Sequence, residues 1–169
     1  KWYNRNAAIN PHLVEGKKTV AFEICEQLDF KPTDWVIVSV GDGCTIAGLY
    51  KGFSDFYKLG LIKNIPKLLG VQSEGCAPLY EASKNNNQLE HADEDTIADS
   101  IAVGHPRNPI KALQAVEKSN GQWVTVSDAH ILECMKRLGK EEGIFGEPAG
   151  VASIAGLEKA LIEGLIDED

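Results

Sequence analysis

The sequence predicts an α/β fold: three layers, with a mainly parallel, twisted sheet between helices. Two observations carry that reading. Trp35-Val36-Ile37-Val38-Ser39-Val40 is short, nearly continuous in apolar character and rich in β-branched residues, which is how a strand buried on both faces reads. Between such runs the apolar period switches to the helical one, and the two kinds of segment alternate along the chain. Strand and helix in alternation are the mark of βαβ units, for which right-handed crossovers are expected.

The elements follow in order. Val20, Ile24 and Leu28 stand at i, i+4 and i+8 and predict a first helix. Trp35 to Val40 is the first strand. Ile46, Leu49, Tyr50, Phe53, Phe56 and Tyr57 keep helical spacing, with Phe53, Phe56 and Tyr57 expected toward a core, and Gly60 closes that helix. Leu68-Leu69-Gly70-Val71 is a second strand and Trp123-Val124-Thr125-Val126 a third. Ser127 is placed to cap a helix carrying Ile131, Met135 and Leu138. Val151, Ile154, Ala155, Leu161 and Ile162 make the last helix. Ser83 to His105 is polar, so residues 84–106 read as a loop or flap within a single domain over residues 1–169, with a short element near Thr96–Ile101.

Charge and composition narrow the functions. The chain has 169 residues and a formal net charge of -8. That balance disfavours a nucleic-acid or anionic-membrane partner, because both need excess Lys and Arg. No apolar run approaches the ~20 residues of a membrane-spanning helix, and Lys1 to Asn10 lacks the apolar core of a signal peptide. Cys25, Cys44, Cys76 and Cys134 are widely spaced and His12, His91, His105 and His130 are scattered. The cysteines read as reduced thiols of a cytoplasmic protein, and no metal site is expected. Residue 1 is Lys and the single Met is Met135, so a piece of a longer chain is expected.

One local pattern carries chemistry. Val40-Gly41-Asp42-Gly43-Cys44-Thr45 joins the first strand to an amphipathic helix. Glycines let the backbone turn tightly, and the free N–H groups and dipole of the helix start favour an anion such as phosphate. Thr45 adds a hydroxyl donor or an N-cap. The dinucleotide fingerprint fails, since the next glycine is Gly48. Glu15-Gly16-Lys17-Lys18-Thr19 lacks the earlier glycine of a P-loop, and Lys17 and Lys18 read as solvated at a helix start. A monophosphate fits better. Pyridoxal phosphate is one such ligand, but spacing selects no lysine for it. Arg107 and Asn108 read as surface-loop residues.

Five segments, in order, resemble the threonine synthase branch of the fold type II pyridoxal-phosphate enzymes. They are Asn10 to Ile24, Val40 to Thr45 with Lys51-Gly52-Phe53, Gly70 to Leu79, Thr96 to Ile101 with Pro106-Arg107-Asn108-Pro109, and Glu142 to Ser153. The resemblance implies the larger domain of such an enzyme. It also implies pyridoxal 5'-phosphate as cofactor, and a lyase that turns O-phosphohomoserine and water into threonine and phosphate. By resemblance, Gly41, Asp42, Gly43, Cys44 and Thr45 hold the cofactor phosphate, and Glu147 borders the cofactor ring. A small-molecule amino-acid substrate is implied, and a homodimer is the form family members often take.

Departures from the family pattern bear on the rest. Its Schiff-base lysine and Ser-Gly-Asn turn lie early and its T-G-x-G-L-K-D segment late. None occurs here, so the chain reads as a C-terminal section cut at both ends, without a catalytic lysine and inactive alone. Ala7, Ala8 and Leu13 stand where the family tends to have Asn-Ser and Arg for the substrate phosphate. Arg5, Asn6 and Asn10 are the substrate candidates left. Two alternatives stay open: a threonine dehydratase-like or cysteate synthase-like lyase, and a non-catalytic phosphate-binding αβα domain.

Overall fold

The computed structural model describes residues 2–6 and 9–167. Its elements run α1 (Pro11–Gly16), α2 (Lys18–Gln27), β1 (Trp35–Ser39), α3 (Cys44–Lys58), β2 (Lys67–Ser73), α4 (Pro78–Lys84), a 3-10 helix (Asp99–Ile101), α5 (Pro109–Lys118), β3 (Gln122–Val126), α6 (Asp128–Glu141) and α7 (Pro148–Ile162). The three strands lie in the order β1-β2-β3, and both pairs are parallel, with Val38 opposite Gly70 and Gly70 opposite Trp123.

Side chains alternate across the central strand and so build two cores. Leu68 packs with Phe53, Ile46, Leu79 and Val116 under α3, α4 and α5. Leu69 and Val71 point the other way, with Val124, Val126, Ile131, Val151 and Ala155, under α6 and α7. Helices on both faces of a parallel sheet give the three layers expected. Among the described residues no helix is long and apolar enough to cross a membrane.

Two readings of the helices change. α2 has helical spacing as expected, but it buries Ala21 and Cys25, while Val20 and Leu28 are exposed. The reason lies in α3: a Cβ on Gly52 would sit 2.7 Å from that of Ala21 and 2.8 Å from the Lys18 carbonyl. Backbones this close admit only small residues, so the Ala-Cys face wins over the Val-Leu face. α5 gives little apolar signal in the sequence, because its buried set Ala112, Leu113, Ala115 and Val116 is half alanine, though Pro109 at its first turn is a start signal. Residues 88–98 form neither helix nor strand.

Candidate functional site

The site lies where β1 gives way to α3. Val40 continues the ladder by one bond, its N–H donating to the Val71 carbonyl at 2.8 Å. The chain then turns through Gly41 and Gly43. Gly43 is the N-cap of α3 with φ +84°, a conformation that favours glycine. A Cβ there would lie 2.7 Å from the Ala112 Cβ, and one on Gly41 3.0 Å from Val103 Cγ2. Thr45 is therefore not the cap. No side chain caps α3, so its first-turn N–H groups, orphaned in any helix, stand at the turn with the positive end of the dipole.

This turn forms one wall of a cavity of about 440 Å³ at the carboxyl end of β1, with Arg5, Leu13, Lys17, Ser39 and Ser100 on the other walls. Ligands in open α/β sheets bind at the carboxyl ends of strands. The hydroxyl of Ser39 is buried and has no hydrogen-bond partner among the described residues. Such an orphan is rare and asks for a partner. Lys18 pairs with Glu15 at 2.8 Å and with Asp55 at 2.9 Å. Lys17 has no ion pair among the described residues and faces the cavity. The doublet therefore divides: Lys18 ties α2 to α3, while Lys17, exposed to solvent as expected, also stands on the cavity wall.

The turn is held from behind by the start of α5. Asp42 Oδ1 accepts the Arg107 N–H at 3.0 Å, and the Asp42 carbonyl accepts the Asn108 N–H at 3.0 Å. Asn108 Nδ2 donates to Cys44 Sγ at 3.0 Å. Asn108 is buried, not a loop surface residue. Asp42 thus anchors the turn, its carboxylate engaged by backbone. Burial pushes the Cys44 thiol up, Asp42 adds to it, and Lys17 and Lys111 pull the other way. Gln72, fully buried, donates to the Val40 carbonyl at 3.2 Å and accepts from Leu79 and Tyr80 N–H at 2.9 and 3.0 Å. It joins the strand end before the turn to the start of α4.

The remaining sequence candidates separate. Gly41, Asp42, Gly43, Cys44, Thr45 and Arg5 all line the cavity. Asn10 caps α1 by accepting the His12 N–H at 3.1 Å, and its amide donates to Tyr3 and to the Asn4 carbonyl. Its side chain thus orders the segment that carries Arg5. Asn6 accepts from the Ile9 and Asn10 N–H groups through its carbonyl. Glu147 is the N-cap of α7 and is not among the cavity-lining residues. Ala7 and Ala8 lie outside the described residues. Sequence reasoning missed Ser39 and Lys17 as cavity residues; only the tertiary packing tells the two lysines apart.

Residues 1–169 match the protein family described as pyridoxal-phosphate dependent enzyme. The chain is 44% identical over 164 residues to a threonine synthase of Methanocaldococcus jannaschii, covering 96% of this chain and 40% of that protein. It is 38% identical over 159 residues to a threonine synthase of Mycobacterium tuberculosis, covering 94% of this chain and 42% of that protein. It therefore spans about 40% of the length of these curated relatives. Among solved structures, a fungal L-serine ammonia-lyase from Rhizomucor miehei has TM-score 0.75 at 20% identity, covering 90% of this chain and 46% of that one. The processed threonine deaminase isoform 2 of Solanum lycopersicum has TM-score 0.74 at 23% identity, covering 95% and 44%. At these identities the likeness is one of fold.

Proposed function

Since the chain belongs to the pyridoxal-phosphate dependent enzyme family, we propose that it is the section of a threonine synthase that cradles the cofactor phosphate. The full-length protein would convert O-phosphohomoserine and water to threonine and phosphate. The observation that carries this reading is the turn itself. A glycine N-cap at φ +84° leaves α3 uncapped, beside a cavity with Arg5 and Lys17 on its walls and the unpartnered Ser39 hydroxyl in it. These residues fit a phosphate dianion. Backbone N–H groups from Gly43 onward would donate to its oxygens, the Thr45 and Ser39 hydroxyls would add donors, and Lys17 would balance charge.

The cofactor, when bound, supplies an electron sink for breaking bonds at the substrate α-carbon. This chain's residues bind and orient. Asp42 and Asn108 hold the turn rigid, and Leu13 with Ile101 keeps part of the cavity wall apolar. No lysine of this chain is assigned to the Schiff base. Borohydride reduction of the full-length holoenzyme, followed by peptide mapping, is expected to label a lysine outside these 169 residues; a label on Lys17 would overturn that assignment. The four buried free thiols support a reducing, cytoplasmic compartment.

The direct test is the full-length protein with O-phosphohomoserine. Threonine and phosphate should appear in equal amounts, and their absence removes the synthase reading. A threonine dehydratase-like lyase is the second reading. Leu13 favours it, because an apolar side chain lines the cavity where the resembling family tends to place an arginine. Release of 2-oxobutanoate from threonine would support it.

A further inference from the structure

Away from the cavity, α6 and α7 bring three different ligand types to one point. His130 Nε2 lies 2.9 Å from Glu158 Oε2. Cys134 Sγ lies 3.5 Å from the same oxygen. All three ligand atoms fall within 4.8 Å of one another. His130 and Cys134 stand four apart on α6, one turn of the same face, and Glu158 reaches across from α7. Arg137 Nη1 binds the other carboxylate oxygen, Oε1, at 2.6 Å, which leaves Oε2 turned toward the imidazole and the thiol.

We infer that His130, Cys134 and Glu158 form a binding site for one zinc-class divalent cation, clasping α6 to α7. A thiolate, an imidazole and a carboxylate together suit zinc or cobalt rather than the hard cations, which take oxygen alone. Bonds of roughly 2.0–2.3 Å in a tetrahedron separate ligand atoms by roughly 3.3–3.8 Å. The present separations need shifts of only a few tenths of an ångström to a little over one. Cys134 is buried, whereas the His130 and Glu158 side chains are 26% and 25% exposed. An ion thus has a way in, and a water completes its fourth position.

The charges also close. Thiolate and carboxylate neutralise a doubly positive ion, and Arg137 orients the carboxylate from outside, as partners of ligands do. Zinc deprotonates a coordinating thiol outright, so the Zn–S bond forms as the S–H proton passes to the buffer. In the sequence the set is hidden, because the histidines are scattered and the third ligand lies 28 residues beyond His130.

The test loads the full-length protein with Zn²⁺, dialyses it and counts metal per chain, with zinc-edge X-ray absorption as a second readout. One zinc per chain is expected, with one sulfur neighbour near about 2.3 Å. Cys134→Ser and His130→Gln should each weaken zinc affinity at least about tenfold, and Cys25→Ser should leave it unchanged. If Cys134→Ser fails to fold, His130→Gln, at a partly exposed position, carries the same comparison. No retained zinc, retained zinc without a sulfur neighbour, or affinity unchanged in the folded variants would show a hydrogen-bonded strap only and overturn the site.

Discussion

Asn108 donates its side-chain amide to the sulfur of Cys44 at 3.0 Å, and both residues are buried. Cys44 is the first residue of α3 and Asn108 the N-cap of α5. One contact therefore joins two helix starts across the back of the glycine turn. A neutral buried hydrogen bond contributes about 1 kcal/mol, and this one acts beside the two bonds by which Asp42 anchors the same turn. Asn108→Ala should weaken pyridoxal phosphate affinity of the full-length protein by up to about tenfold, read by equilibrium dialysis, with little change in Tm. Unchanged affinity would mean that the turn is rigid without Asn108.

Gly43→Ala tests two separate strains. A non-glycine residue in the left-handed region loses about 1 kcal/mol, and the new Cβ would meet that of Ala112 at 2.7 Å. Together they should destabilise by about 2–4 kcal/mol. Adding Ala112→Gly relieves the collision but not the φ strain. The double variant should recover part of the loss in a denaturant titration, and a full recovery would show that φ carries no strain.

Gln72 accepts two hydrogen bonds and donates one in a fully buried position. Gln72→Leu keeps the volume but strands the Val40 carbonyl and the Leu79 and Tyr80 N–H groups. Each stranded buried group costs about 1–3 kcal/mol. A loss of about 3–5 kcal/mol in unfolding free energy is expected; a loss under about 1 kcal/mol would show that water reaches these groups.

These contacts mark the boundary of what was legible. Trp35 to Val40 and Trp123 to Val126 read as buried strands because a strand covered on both faces shows as a short, nearly continuous apolar run rich in β-branched residues. Helices α3, α6 and α7 declared themselves through large apolar residues. α5 did not, since alanine scores weakly even where it packs fully, and α1 and α4, at 6 and 7 residues, are too short to establish a period. The glycines of the turn pointed to an anion because their chemistry is local. Lys17 and Ser39 joined the site only through tertiary packing. Asn108 read as a loop residue because its burial depends on α3, some 64 positions away.

Asp128 gives a pH test. Burial raises its carboxyl, but hydrogen bonds from Thr96, the Ile97 N–H and Ser73 outweigh that and hold it below the usual value. A folded value below the unfolded one, about 3.9, means that the contribution is complete above that pH. It fades as pH falls through the folded value. Asp128→Asn can keep an oxygen on the Ile97 N–H, now bonded at 2.9 Å, but removes the negative charge that the three donors and the start of α6 favour. The variant should be less stable by about 1–3 kcal/mol at pH 7, with the gap narrowing below about pH 4. A gap constant from pH 7 to pH 3 would assign it to geometry, not charge.

Arg5 separates the two substrate readings. It is exposed, lies on the cavity wall and is carried by a segment that Asn10 orders. If the substrate bears a phosphate, Arg5 pairs with it in ground and transition states alike. Such uniform binding alters KM and leaves kcat unchanged. An exposed arginine paired with a phosphate contributes about 1 kcal/mol. Arg5→Ala should then raise the KM for O-phosphohomoserine about three- to tenfold, with kcat within about twofold. Leu13→Arg, which adds a cation to those of Arg5 and Lys17 around the cavity, should lower that KM. A dehydratase acting on threonine has no phosphate for either residue to meet, so both variants would leave its KM unchanged. Steady-state kinetics of the two variants on the two substrates thus give opposite patterns, and equal KM values on O-phosphohomoserine would remove Arg5 from the site.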